Sequence, residues 1–166
     1  MNTLKPQKLM ILLAGATLLA LNPVSASAHD SGKVRVQFEK CPGTIPPGAP
    51  ADTVFWFPGT VTGAVKGNLV AVGQPGAFDQ VDGKTYLEAD YVVSATDGSQ
   101  HSFIARVGGR MENDGTMRAV LYGFVSDGWL RGAQVVDKFA GTGGGCVKGT
   151  LTITPKWASA HDDDED

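Results

Sequence analysis

Histidine, cysteine, basic surplus and helical periodicity are all scarce in this chain of 166 residues, and each shortage excludes something. The three histidines, His29, His101 and His161, stand in no His-x-His or His-x-x-x-His spacing, so no metal is expected and no other cofactor is implied. No Gly-x-Ser-x-Gly elbow supports a serine hydrolase. The glycine run Gly141-Thr142-Gly143-Gly144-Gly145 lacks the Lys-Ser/Thr that would make it a phosphate loop, and reads as a hairpin connection. Acids outnumber bases 17 to 14, a net charge of −3, which argues against nucleic acid and against adhesion to anionic membranes. The two cysteines form no Cys-x-x-Cys, so a thioredoxin-type redox role has no basis.

The one long apolar run, Leu9 to Leu21, falls short of the roughly 20 residues that span a bilayer. Lys5 and Lys8 precede it and Ala26-Ser27-Ala28 follows. The arrangement predicts a bacterial-type signal peptide over 1–28, cleaved after Ala28, and export to periplasm or medium with no transmembrane segment left. Losing Lys5 and Lys8 would leave a mature net charge of −5. Residues 29–158 read as a single domain, and 159–166, ending Asp162-Asp163-Asp164-Glu165-Asp166, as a disordered acidic tail. In an oxidising compartment Cys41 and Cys146 are expected to pair, tying the first strand to the last.

Within the domain the signal is alternation. Asp-Gly pairs at 82–83, 97–98, 114–115 and 127–128 punctuate short segments, as hairpin turns do. Val34, Val36 and Phe38 alternate with Arg35, Gln37 and Glu39. From Val54 to Gly73 the odd positions are apolar or glycine over what reads as one long strand. Gly59, Gly63 and Gly67 share that face, either to let the strand coil or to leave room for a ligand. Leu87, Ala89, Tyr91 and Val93 share another face, and His101, Phe103, Ala105 and Val107 a third, with Gly108-Gly109 interrupting that strand. Met117 to Val125 is apolar on both parities except for Arg118, which suggests a doubly covered strand. Trp129 to Phe139 reads as a further segment, and Val147 to Thr154 as the last strand. Period two predicts seven or eight strands in an all-β antiparallel meander closing into a small barrel, with a sandwich as the alternative. Outward threonine and lysine on the final strand argue against a lipid-facing barrel.

Three motifs carry a resemblance: Phe57-x-Gly-Thr-x-Thr-Gly63, Gly128-Trp-Leu-x-Gly-Ala133 and Gly144-x-Cys-x-x-Gly-Thr-Leu-x-Ile153. Together they resemble the allene oxide cyclase/dirigent class of small β-barrels. The resemblance implies an eight-stranded barrel with an apolar interior that binds or steers hydrophobic small molecules, commonly as an oligomer. It carries over no catalytic residue. Aromatic and polar groups on inward faces or near turns, namely Phe57, Tyr91, His101, Phe103, Tyr122, Trp129 and Arg131, are the candidate ligand-binding set. The functional expectation is an exported, non-catalytic barrel for a small hydrophobic ligand. Two alternatives stand beside it: an envelope or interaction protein acting through an oligomeric or partner surface, on which Trp56 is a candidate contact, and a cyclase- or isomerase-like enzyme.

Overall fold

The computed structural model describes residues 32–81, 84–113 and 115–156. The signal peptide expected over 1–28, the Asp82-Gly83 pair, Asp114 and the acidic tail expected over 159–166 lie outside the described residues. Nine strands follow in chain order: β1 (Val34–Lys40), β2 (Phe55–Gly63), β3 (Gly67–Gly73), β4 (Phe78–Val81), β5 (Lys84–Ala95), β6 (Phe103–Asn113), β7 (Thr116–Gly128), β8 (Gln134–Thr142) and β9 (Val147–Thr154). No described residue is helical. Every pairing is antiparallel, and the ladder β3-β2-β1-β9-β8-β7-β6-β5 is closed by β3 bonding to β5. The fold is thus an eight-stranded barrel, not a sandwich. Strand β4 is the extra one. It pairs with the first part of β5, on the same edge that β3 occupies further along.

Alternation decides which side chains fill the barrel. Val36 and Phe38 of β1, Leu87, Ala89, Tyr91 and Val93 of β5, and Phe103, Ala105 and Val107 of β6 are all buried. Leu121 and Val125 of β7, Val135 and Phe139 of β8, and Leu151 and Ile153 of β9 complete one continuous core.

Four local expectations need correction. The segment from Val54 to Gly73 is a hairpin, because Gly63 at φ +93° turns the chain and Val61 then pairs with Gly67. The glycine pair at 108–109 does not interrupt β6, which stays in register with β7 through both positions. Strand β7 is not doubly covered: Val120, Tyr122 and Phe124 point out of a single-layered wall and are 39%, 64% and 49% exposed. The segment expected to start at Trp129 begins instead with a turn, in which Leu130 has φ 60°, and β8 starts at Gln134.

Cys41 and Cys146 are bonded, with Cα atoms 4.0 Å apart. Lys40 and Val147 form the last pair of the β1–β9 ladder, so the bridge is its next rung. It closes a sequence separation of 105 residues at one barrel mouth.

Candidate functional site

The same alternation that buries Val36 and Phe38 carries Lys40 into the interior, and on β8 it places Asp137 between the buried Val135 and Phe139. Lys40 is 4% exposed and Asp137 fully buried; among the described residues they are the only buried charged groups. Tyr91 stands between them. Its hydroxyl accepts a hydrogen bond from Lys40 Nζ and donates one to Asp137 Oδ2 at 2.7 Å. The sequence makes room for this chain. Tyr91 pairs with Ala71 on one side and Ala105 on the other, so no large neighbour competes with its ring. Lys40 pairs with Gly59, where a Cβ would come within 2.1 Å of Glu39 O and 2.8 Å of Lys40 Cβ. At this position the inward glycine serves close backbone approach.

Around the ammonium the surroundings are aromatic. Lys40 Nζ lies 4.0 Å from the Tyr91 ring centre, 5.0 Å from that of Phe139 and 5.2 Å from that of Phe38. Burial therefore lowers the lysine to about 8, and the charge of Asp137 restores only part of the loss. Burial likewise raises Asp137 to about 6 against the opposing pull of Lys40 and the Tyr91 hydrogen bond. Tyr91 is pushed well above its ordinary value by burial first and Asp137 second, so it remains a hydroxyl. Asp137 Oδ1 has no hydrogen-bond partner although it is buried. An unsatisfied buried oxygen costs on the order of 1–3 kcal/mol, more when charged.

Above the chain lies the barrel mouth. Phe55, Phe57, Phe78, Met111, Met117 and Phe139 line it, and among the described lining residues Lys40 is the polar one. The Phe55 ring packs edge-on against Phe57 at 5.6 Å and tilted against Phe78 at 5.0 Å. These side chains leave a space of about 20 Å³, about one water, so anything larger enters only by moving them. Unbranched methionines and rim aromatics can re-pack in this way. No protein-family model, curated protein or solved structure matches the chain. Its chemistry is therefore read from this geometry alone.

The candidate set from the sequence divides between three places. Phe57 lines the mouth just described, and Tyr91 lies in the buried chain beneath it. His101, Phe103, Trp129 and Arg131 gather at the opposite end, where His101 stacks on Trp129 with centres 4.1 Å apart and Phe103 is buried beneath. Arg131 is exposed in the β7–β8 turn, and Tyr122 stands on the outer wall. Sequence reading missed Lys40 and Asp137. The signal was there: each continues an inward parity, Val34-Val36-Phe38-Lys40 and Val135-Asp137-Phe139, where a charge is out of place.

A larger concavity, about 620 Å³, lies on the outer wall of β6 to β9. Arg110, Arg118, Lys138 and Lys148 flank it, but Glu112 pairs with both arginines at 3.9 and 3.2 Å and Glu39 with Lys148 at 3.2 Å. Such exposed pairs are screened by water and carry little energy. Among the described residues no buried polar group lines that groove, whereas the mouth has three beneath it.

Proposed function

We propose that this protein is an exported, disulfide-closed barrel that binds a small hydrophobic molecule at the Phe/Met mouth. One polar group of the ligand would be directed at the Lys40–Tyr91–Asp137 chain. The observation that carries the reading is the burial of two opposite charges directly under an apolar rim. A scaffold gains nothing from this, since packed apolar side chains in place of a buried ion pair are often neutral or stabilising by about 1–4 kcal/mol. Export is supported by the leader-like residues 1–28 and by the oxidised Cys41–Cys146 pair. The resemblance to the allene oxide cyclase/dirigent class is in keeping with a hydrophobic ligand.

Titration with N-phenyl-1-naphthylamine tests it. Saturable, roughly one-to-one uptake is expected, abolished by Met111→Trp at this mouth and unchanged by His101→Ala at the other. Absence of uptake, together with a native mass spectrum free of any co-purified molecule, would remove the proposal.

A second reading rests on the exposed row Val120, Tyr122 and Phe124. Three apolar side chains on one outward face suit contact with another copy of the chain. Sedimentation in which wild type is larger than Tyr122→Asp/Phe124→Asp would support it, and identical monomers would dismiss it.

A further inference from the structure

We infer that Lys40 captures the carbonyl carbon of a neutral, apolar aldehyde or ketone as a reversible imine, with Tyr91 and Asp137 relaying the protons. The inference rests on ligand binding at the Phe/Met mouth and names the ligand's chemistry.

Charge balance selects a neutral ligand. Lys40 and Asp137 together carry no net charge, and an anionic head group entering beside Lys40 would bring a second negative charge close to Asp137 in a dry interior. A cationic head group would meet Lys40 first, as the polar group that lines the mouth. A carbonyl group meets neither penalty. Its oxygen can accept a hydrogen bond, and its carbon is open to an amine.

Hydrogen-bond order supplies what an amine needs to become a nucleophile. Lys40 Nζ donates to the Tyr91 hydroxyl, which donates in turn to Asp137 Oδ2. One shift along this chain moves a proton from the ammonium to the tyrosine oxygen and the tyrosine's own proton to the carboxylate. Lys40 becomes a neutral amine, Asp137 a carboxylic acid, and Tyr91 is unchanged. The enclosing rings of Phe38, Tyr91 and Phe139 and the near-complete burial of all three residues disfavour the charged pair, so the neutral pair lies far closer to it than it would in water. Desolvation in an apolar pocket is a recognised way to activate lysine toward carbonyl carbon.

Each step then balances. The Nζ lone pair forms the C–N bond while the carbonyl π electrons move to oxygen. That oxygen takes up the proton released by the nitrogen, giving a carbinolamine. The acid held at Asp137 returns its proton through Tyr91 to the departing hydroxyl, the C–O bond breaks, and the nitrogen lone pair closes C=N. Amine and carbonyl become imine and one water. The returned charge on Asp137 faces the imine nitrogen and favours its protonated form. Hydrolysis runs the same path backwards, so no oxidant or reductant is needed.

Trapping by reduction tests the inference. The disulfide-bonded protein is incubated with hexanal and sodium cyanoborohydride near pH 7, and the adducts are mapped by peptide mass. Lys40, 4% exposed, is expected to react at least tenfold faster than the exposed Lys66, Lys138 and Lys148. Tyr91→Phe, which interrupts the relay, should slow the Lys40 adduct about tenfold relative to labelling of the exposed Lys66 in the same sample. Adducts confined to exposed lysines, with uptake intact, overturn the imine and leave ligand binding standing. Loss of both overturns both. A Tyr91→Phe protein that modifies Lys40 at the wild-type rate overturns the relay.

Discussion

Replacing Asp137 by asparagine removes the only carboxyl whose pKa is raised by burial among the described residues, and the effect on stability has an unusual sign. In the unfolded chain this group titrates near 3.8, and in the barrel near 6. Between those values the folded protein holds a proton that the unfolded chain has released, so stability falls as pH rises, by about 1.4 kcal/mol per pH unit. Over about two units Asp137 costs the fold on the order of 3 kcal/mol. That contribution is absent below pH 4 and complete above pH 6. Most surface carboxylates act in the opposite sense. Unfolding in urea, followed by tryptophan fluorescence at half-unit steps from pH 4 to 6, gives the stability of wild type minus that of Asp137→Asn. The difference should decline by about 2–3 kcal/mol across the window, in which wild-type Lys40, lowered to about 8, stays protonated. Raising the salt concentration should leave the slope in place, because the group is buried beyond the reach of screening ions. A difference that stays flat within about 0.5 kcal/mol, against the expected slope, would show that Asp137 keeps its ordinary carboxylate pKa in the barrel and would refute the account of the site.

Three further outcomes are expected. Converting Cys41 and Cys146 to serine opens a loop of 105 residues and should cost about 4–5 kcal/mol in urea unfolding, with a larger denaturant slope as the unfolded chain expands. Gly59→Ala should cost about 1–3 kcal/mol because its Cβ meets backbone at 2.1 Å, whereas Gly108→Ala, whose nearest neighbour is the flexible Glu88 side chain at 3.2 Å, should cost far less; thermal melts of the two compare them directly. Asp97 is held down to about 2, first by the Ser99 hydroxyl and then by the amides of Ser99 and Lys66, so a carboxyl-carbon NMR titration should find it lowest in Ser99-containing protein and moved upward in Ser99→Ala.

Barrel class and disulfide were legible because both follow from short-range regularities. Alternation at Val34 to Phe38 and Leu87 to Val93 names an inner face without knowledge of strand order. A lone pair of cysteines has one partner each. The hairpin at Gly63 was hidden because inward parity survives the turn: Val61 before it and Val65 and Leu69 after it are all buried. Met117 to Val125 misled for a related reason. Hydrophobicity on two faces suggests two coverings, yet a one-layer wall leaves the outer one open to water or to another molecule. The candidate site was half visible. Tyr91 and Phe57 were singled out as inward aromatics, but Lys40 and Asp137 come from strands that are 97 residues apart in sequence, and only the closed ladder places them either side of Tyr91. His101 and Trp129, which flank the 97–98 and 127–128 turns, stack on each other, but at the far end from that chain.

Strand β4 sets how this molecule can meet a foreign β-segment. Ring closure saturates the backbone of the other eight strands with lateral partners, while β4 sits at the end of the ladder with β5 on one side alone. Among the described residues that leaves a docking rail of four, Phe78 to Val81, with Asp79 and Gln80 exposed at its centre. So short and polar a rail gives little purchase to fibril growth. It also sits beside the Phe78 wall of the mouth, so an extended peptide that did add there would lie against the entrance to Lys40.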